Sequence, residues 1–163
     1  MDIFKAAERM MRMDDATWAR HANPWSVYTR FSCLPLLVVA IWSRDWIGGW
    51  AFLVMALTLA WTFVNPRLFS EPATLDSWAS KGVLGERHFL ARAARPVPTH
   101  HVTWAKILTW VSGSGAIVLA YGLWRLDLWA TLCGLSITVL GKVWFVDRMV
   151  WLYEDMRRGS SAP

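Results

Sequence analysis

Two apolar stretches decide the fold: WIGGWAFLVMALTLAWTFV at residues 46–64 and ILTWVSGSGAIVLAYGLW at residues 107–124. Neither stretch contains an Asp, Glu, Lys or Arg residue. A helix crosses the hydrocarbon core of a bilayer with about 20 mostly apolar residues, and the usable range is roughly 17 to 25. We therefore predict that both stretches span a membrane.

Two less uniform stretches complete the prediction. Residues 25–43 and 128–146 are long enough to cross a bilayer if Arg30 and Lys142 extend their charged ends to the headgroups. The expected fold class is therefore all-α, a polytopic membrane protein whose four transmembrane helices form a bundle. Residues 1–163 are expected to form a single integral membrane domain.

The composition excludes several other classes of protein. The chain has 163 residues, of which 55% are hydrophobic and 18% charged, and this is too much apolar material for a disordered chain. Two cysteines are too few for a disulfide-rich secreted module. The net charge of +5 does not indicate a nucleic-acid partner, because the basic residues adjoin apolar blocks rich in tryptophan.

The distribution of basic residues predicts the orientation. Of the 17 Lys and Arg residues, 15 lie within residues 1–30, 65–106 and 142–163, and the two short connections hold one each, Arg44 and Arg125. Because Lys and Arg accumulate on the cytoplasmic side, both termini and the 65–106 loop are expected in the cytoplasm of a multi-pass inner-membrane protein. The 13 tryptophans concentrate near the ends of the spans, as interfacial anchors do.

The segments outside the spans are also predicted to be partly helical. Within residues 1–24, apolar residues recur at helical spacing and predict an amphipathic helix that lies on anionic lipid headgroups: Ile3, Phe4, Ala7, Met10 and Met11. Docking of this helix on a partner is the alternative. The last span is expected to continue as a helix into the cytoplasmic extension, residues 147–163.

The cytoplasmic loop, residues 65–106, is long enough to have structure of its own. One or two helices are predicted over residues 74–94, and Gly82 and Gly85 are expected to weaken their middle. Small residues of a different kind lie inside the third span, in Ser112-Gly-Ser-Gly-Ala116. No strand precedes them, so they indicate close helix contact and not a nucleotide-binding loop.

Polar residues at the predicted inner boundary are the candidate ligand-binding cluster. They are Arg20, His21, Asn23, Trp25, Arg30, Asn65, Arg67, Glu86, Arg87, Asp147, Arg148, Trp151 and Glu154. Trp144, Asp147, Trp151 and Glu154 share one helix face by their spacing. Since an unpaired carboxylate at this depth is costly, Asp147 is expected to bond Arg20, Arg30 or Arg67, and structural pairing is preferred over a catalytic role. Asn23 and Asn65 each precede a proline, which favours extended or turn geometry.

The sequence does not predict a metal or any other cofactor. His21, His88, His100 and His101 are weak metal candidates, because no histidine pair has i, i+4 spacing and there is no Cys-x-x-Cys motif. Haem held by two histidines within the bilayer would need histidines in the spans, and the predicted spans contain none.

Three motifs carry a family resemblance. Arg20-His-Ala-Asn-Pro-Trp-Ser26, Gly85-Glu-Arg87 and Asp147-Arg-Met-Val-Trp-Leu-Tyr-Glu154 resemble an uncharacterised family of small prokaryotic four-helix membrane proteins. The resemblance covers almost the whole chain, from about Trp18 to Asp155. It implies that these positions matter to the family, and it implies no activity, substrate or cofactor.

Two functions of different classes follow from these residues. The preferred one is a non-enzymatic protein that binds a lipid, a small ligand or a membrane partner at its cytoplasmic face. Its expected partners are the bilayer and anionic lipid headgroups. Another membrane protein or a second copy of the chain is a further candidate partner. The alternative is an enzyme acting on a lipid headgroup or a quinone-like substrate. Its acid/base or metal-binding groups would be His21, Glu86, Asp147 and Glu154, and Arg20, Arg30 and Arg67 would hold an anion. An oligomeric small transporter is less favoured, because no span has a charge at its middle.

Overall fold

The computed structural model describes residues 10–11 and 13–160, except for the side chain of Ser160, and within these ranges the chain is helical and has no strand. The helices are α1 (Asp15–His21), α2 (Pro24–Phe31), α3 (Cys33–Trp42), α4 (Arg44–Ile47), α5 (Ala51–Leu68), α6 (Trp78–Leu90), α7 (Thr99–Arg125) and α8 (Leu128–Ser160). The all-α prediction is confirmed. The predicted amphipathic helix falls mostly on residues 1–9 and 12, outside the described residues.

Three helical segments are long and apolar enough to cross a membrane: Pro24–Leu68, Thr99–Arg125 and Leu128–Gly159. The first of these doubles back, because α3 packs against α5. The reversal uses α4 and a 3₁₀ turn, Gly48–Trp50, where Gly48 has a φ of +55° that a residue with a side chain rarely adopts. The expected span at 46–64 therefore begins as a helix at Ala51 and extends to Leu68.

α7 and α8 form the closest helix pair. A β-carbon at Gly115 would lie 2.7 Å from the backbone nitrogen of Thr138, and one at Gly122 would lie 2.4 Å from that of Thr131. The prediction of close helix contact at Ser112–Ala116 is confirmed at Gly115, whereas Gly113 has no neighbour within 4 Å. Small residues let two backbones approach closely, and this approach brings the facing atoms into van der Waals contact.

The predicted loop helix, α6, packs along α8. A β-carbon at Gly85 would overlap the backbone of Met149, so the glycine that was expected to weaken this helix instead permits its contact with α8. Phe89 of α6, Leu108 of α7 and Leu152 of α8 are buried together around Met149. A single helix, Trp78–Leu90, therefore lies within residues 74–94, where one or two helices were predicted.

A second apolar core holds the N-terminal helices against α6. Trp18 and Ala22 pack with Val27 of α2 and with Ala79 and Val83 of α6. The hydroxyl of Ser80 adds a hydrogen bond of 2.7 Å to the carbonyl of Ala22. α1 and α2 also pack against α5.

Candidate functional site

The polar residues predicted at the inner boundary do not form one cluster. Six of them lie in three places: a buried hydrogen-bond network, a cavity beside it, and the face of α8 that contacts α6. Of the network residues, His21 also lines the cavity.

The buried network joins α1, α2 and α5. The hydroxyl of Ser26 lies 2.8 Å from Nδ1 of His21 and donates to Oδ1 of Asn65 at 3.3 Å. Nδ2 of Asn65 donates to Oγ1 of Thr29 at 2.8 Å. Ser26 and Asn65 are completely buried, where an unpaired polar group costs about 1–3 kcal/mol. The network therefore fixes how the three helices meet.

The two asparagines that precede prolines differ in structure. Asn23 has an extended backbone and caps α2, because its Oδ1 accepts a hydrogen bond of 3.0 Å from the backbone N–H of Trp25. Its Nδ2 donates to the carbonyl of Ser70 at 3.0 Å. Asn65 instead lies inside α5, so the expected turn there is wrong. The helix continues to Leu68 while the Asn65 side chain bonds α2.

A cavity of about 490 Å³ lies between α1–α3 on one side and α6–α8 on the other. Its volume falls within the range of small-molecule pockets, roughly 300–1,000 Å³. Aliphatic and aromatic side chains form most of its wall, among them Val27, Phe31, Leu34, Val83 and Val139. The cavity therefore offers an apolar ligand a site that is lined by both halves of the chain.

Three charged side chains line this apolar cavity: Arg30, Glu86 and Lys142. Nζ of Lys142 is 3.7 Å from Oε1 of Glu86, and Glu86 also lies within electrostatic range of Arg30. Burial, with a smaller contribution from the charges of Arg30 and Lys142, lowers the pKa of His21 from 6.5 to about 3. With His21 neutral, two cations and one carboxylate leave the cavity a net charge of +1.

Arg30 is the least satisfied of these groups. Its Nη1 is buried and has no hydrogen-bond partner within the described part of the chain. The sequence pointed to Arg30 but did not select Lys142 as a site residue, because a lysine near the end of an apolar stretch also fits a headgroup anchor. The ion pair between Lys142 and Glu86 depends on how α6 packs on α8. The spacing of residues within either helix does not specify this packing.

The two carboxylates on the face of α8 that was predicted to meet arginines contact α6 instead. Oδ1 of Asp147 accepts a hydrogen bond of 3.1 Å from Nε1 of Trp78, so the prediction that Asp147 bonds an arginine is wrong. Glu154 forms an ion pair of 2.8 Å with Lys81. Both carboxylates turn to α6 because this helix covers their side of α8. Of the four candidate acid/base groups, only His21 and Glu86 therefore line the cavity.

Two of the predicted arginines bond the chain around them. Arg67 donates to the backbone carbonyls of Phe63 at 2.6 Å and Met11 at 2.7 Å. Arg87 forms an ion pair with Asp15 and so connects α6 to α1. These contacts hold helices together and leave the cavity to other side chains.

The remaining predicted residues lie at the surface or under aromatic rings. The guanidinium of Arg148 lies 5.8 Å from the ring of Trp104 and 5.5 Å from that of Trp151, a cation–π arrangement. Arg20 and Trp25 are exposed. An exposed tryptophan beside an apolar helix is typical of a membrane interface.

The four histidines lie in three places with different neighbours. His21 belongs to the buried network, and the ring of His88 stacks on that of Tyr153 with centroids 6.1 Å apart. The rings of His100 and His101 are adjacent, with centroids 4.1 Å apart. The four histidines therefore do not form a single shared metal centre.

The family of unknown function DUF6653 matches residues 5–163. The chain belongs to this family. The resemblance to an uncharacterised family is thus confirmed. Among curated proteins none matches the chain, and neither does any solved structure. In this DUF6653 protein the network, the cavity and the α8 face all lie within the matched residues.

Proposed function

We propose that this DUF6653 protein binds an amphiphile with one anionic group in the cavity between α1–α3 and α6–α8. The observation that carries the proposal is the buried Nη1 of Arg30, which has no hydrogen-bond partner among the described residues and belongs to a side chain of the cavity wall. Leaving a buried charged donor unpaired costs about 1–3 kcal/mol or more. A carboxylate or phosphate oxygen is the acceptor that offsets this cost best.

The rest of the cavity matches such a ligand. The apolar wall suits an acyl chain, and the net charge of +1 from Arg30, Lys142 and Glu86 suits a single negative charge. Glu86 forms an ion pair with Lys142 and would repel a second negative charge. These features favour a fatty acid or a phospholipid with one net charge over a polyanion.

The membrane arrangement that goes with this function has four spans and cytoplasmic termini in the inner membrane. It is supported by the packing of α3 against α5 and by the pairing of α7 with α8, which give two helical hairpins. It is supported as well by the concentration of 15 of the 17 basic residues at one predicted side. The cavity charges then lie near the cytoplasmic headgroups.

The binding experiment uses the full chain, purified in a neutral detergent and freed of lipid. Two anionic probes distinguish the ligand source: oleate represents a free acyl anion and phosphatidylglycerol represents a phospholipid. Uncharged monoolein and zwitterionic phosphatidylcholine are their counterparts. We expect at least one anionic probe to be retained in native mass spectrometry at concentrations where its counterpart is lost.

Arg30→Gln is the decisive variant. Because it removes a charge-assisted hydrogen bond of about 1.5–3 kcal/mol, the variant should bind the anionic probe about 10- to 100-fold more weakly. Arg20→Gln is the matched control, because Arg20 is exposed and does not line the cavity. Equal retention of charged and uncharged probes, or equal losses in the two variants, would contradict the proposal.

The orientation has its own test. Reporter domains fused after Pro163 and inserted between Arg125 and Leu128 should report opposite sides of the membrane. Cytoplasmic activity at the C-terminus and external activity at the insertion are expected. The same side for both reporters would exclude the four-span arrangement without bearing on the cavity.

A further inference from the structure

The first turn of α7 and the last turns of α8 bring together two histidines and an aspartate that the cavity does not use. His100 and His101 follow the first residue of α7, and Asp155 lies on α8. The antiparallel packing of α7 on α8 makes these distant parts of the sequence neighbours. None of the three residues lines the cavity described above.

The three side chains converge on one point. Nε2 of His101 is 2.9 Å from Oδ2 of Asp155, and Nε2 of His100 is 3.9 Å from the same oxygen. One ligand atom from each residue lies within 4.8 Å of the other two. The backbone positions are therefore already set, and the remaining adjustment is within the reach of side-chain rotation.

We propose that His100, His101 and Asp155 bind a divalent transition-metal ion of the Zn²⁺ class. Two imidazole nitrogens and one carboxylate oxygen are a ligand set typical of zinc sites that keep a fourth position for water. Bonds of about 2.0–2.2 Å to a tetrahedral ion put ligand atoms roughly 3.4 Å apart, and this value lies between the observed distances of 2.9 Å and 3.9 Å. The carboxylate supplies the negative charge that two neutral imidazoles lack.

Burial has two opposite effects on this metal site: it holds the ring of His101 in place, and it leaves one nitrogen of that ring without a partner. His101 is 2% exposed, so its ring is held in place by packing, whereas His100 lies at the surface and gives the ion access. Nδ1 of His101 is buried and has no hydrogen-bond partner among the residues the structure describes. Loss of such an outer partner weakens metal binding about 10- to 100-fold, so we expect micromolar affinity and not the far tighter binding of a closed structural site.

Metal binding here would join the ends of two long helices. An ion that binds the folded chain but not the unfolded one raises the melting temperature, by about 5–10 °C at a hundredfold excess over its Kd. This stabilisation gives a readout that needs no knowledge of the cavity ligand. It also makes failure of the metal site distinguishable from failure of the proposed lipid binding.

The experiment uses the full chain in detergent, purified with an affinity tag that contains no histidine and stripped with a chelator. Native mass spectrometry counts bound Zn²⁺, and Co²⁺ serves as a probe because its visible absorption reports tetrahedral nitrogen and oxygen ligands. His100→Ala and Asp155→Asn are the test variants, since an exposed histidine and an isosteric amide disturb the fold least. His88→Ala is the control, because His88 stacks on Tyr153 outside the cluster.

We expect a single Zn²⁺ per wild-type chain, a Zn²⁺-dependent rise in melting temperature, and loss of both in His100→Ala and Asp155→Asn but not in His88→Ala. Far-UV circular dichroism checks that each variant is folded. Wild-type protein that binds no Zn²⁺, or variants at His100 and Asp155 that bind it as tightly as His88→Ala does, would overturn the proposal.

Discussion

Replacing Gly134 by alanine should separate the two helices that form the closest pair. A β-carbon at this position would lie 2.3 Å from the backbone nitrogen of Leu119, 2.6 Å from its Cα and 2.9 Å from the carbonyl oxygen of Gly115. All three neighbours are backbone atoms, so no side chain can rotate away. Because ordinary contact begins at 3.4 Å, α7 and α8 must move apart by about 1 Å.

The energetic cost follows from that displacement. Overpacking of a tight interface costs about 1–3 kcal/mol. A gap of 0.5–1 Å also removes roughly a quarter to a half of the dispersion attraction of each facing atom pair. We therefore expect Gly134→Ala to destabilise the chain by about 3 kcal/mol, which corresponds to a fall of about 6–12 °C in melting temperature for a chain of this size.

Gly113→Ala is the matched control for this substitution. Gly113 lies on α7 and has no neighbour within 4 Å, so the added methyl group meets no protein atom. Alanine is the better helix former by about 1 kcal/mol, so this variant should be neutral or slightly stabilised. Thermal unfolding in detergent, followed by tryptophan fluorescence, measures both variants. If Gly134→Ala melts no lower than Gly113→Ala, the close packing of α7 on α8 is refuted.

Three further substitutions test the contacts around the site. Asn65→Ala should lower stability by about 1–3 kcal/mol because it leaves the buried hydroxyl of Ser26 without its acceptor, and a melting temperature equal to wild type would contradict the network. Trp78→Phe should cost about 1–3 kcal/mol by removing the indole donor to Asp147, and thermal unfolding that matches wild type would show that this bond contributes nothing. The folded pKa of His21, about 3, lies below the ordinary 6.5, so the folded chain should lose stability as the pH falls from 6.5 towards 3. His21→Gln should make the unfolding free energy less dependent on pH over that window. An unchanged dependence on pH would argue against a buried neutral imidazole.

The long apolar helices could be predicted from the sequence because a charge-free segment of bilayer length has few other uses. The residues at which these helices begin and end were harder to predict. Residues 46–50 carry no charge and so looked like part of a span, but Gly48 turns the chain there and α5 begins at Ala51. A run of apolar residues indicates which side chains tolerate lipid, but it does not indicate where the backbone reverses direction.

The candidate site was predicted as a set of residues and not as an arrangement. His21, Arg30 and Glu86 were selected from the sequence and do line one cavity, whereas Asp147 turned to Trp78. The difference lies in α6: two glycines, read as weak points of a helix, allow it to pack on α8 and cover the carboxylates. Asp155 was missed for a related reason, because it meets His101 across 54 positions of sequence. Contacts of that range depend on packing that a single sequence does not specify.

Photo-crosslinking can show whether an anionic amphiphile occupies the cavity. The probe is an oleate analogue with a diazirine midway along its chain, added to the purified full chain and followed by peptide mapping. The proposal predicts labelling at cavity-wall positions such as Val83 and Val139, suppressed by excess oleate and by Arg30→Gln. Labelling confined to outward-facing side chains such as Trp110 and Ile117, and unaffected by oleate or by Arg30→Gln, would contradict it.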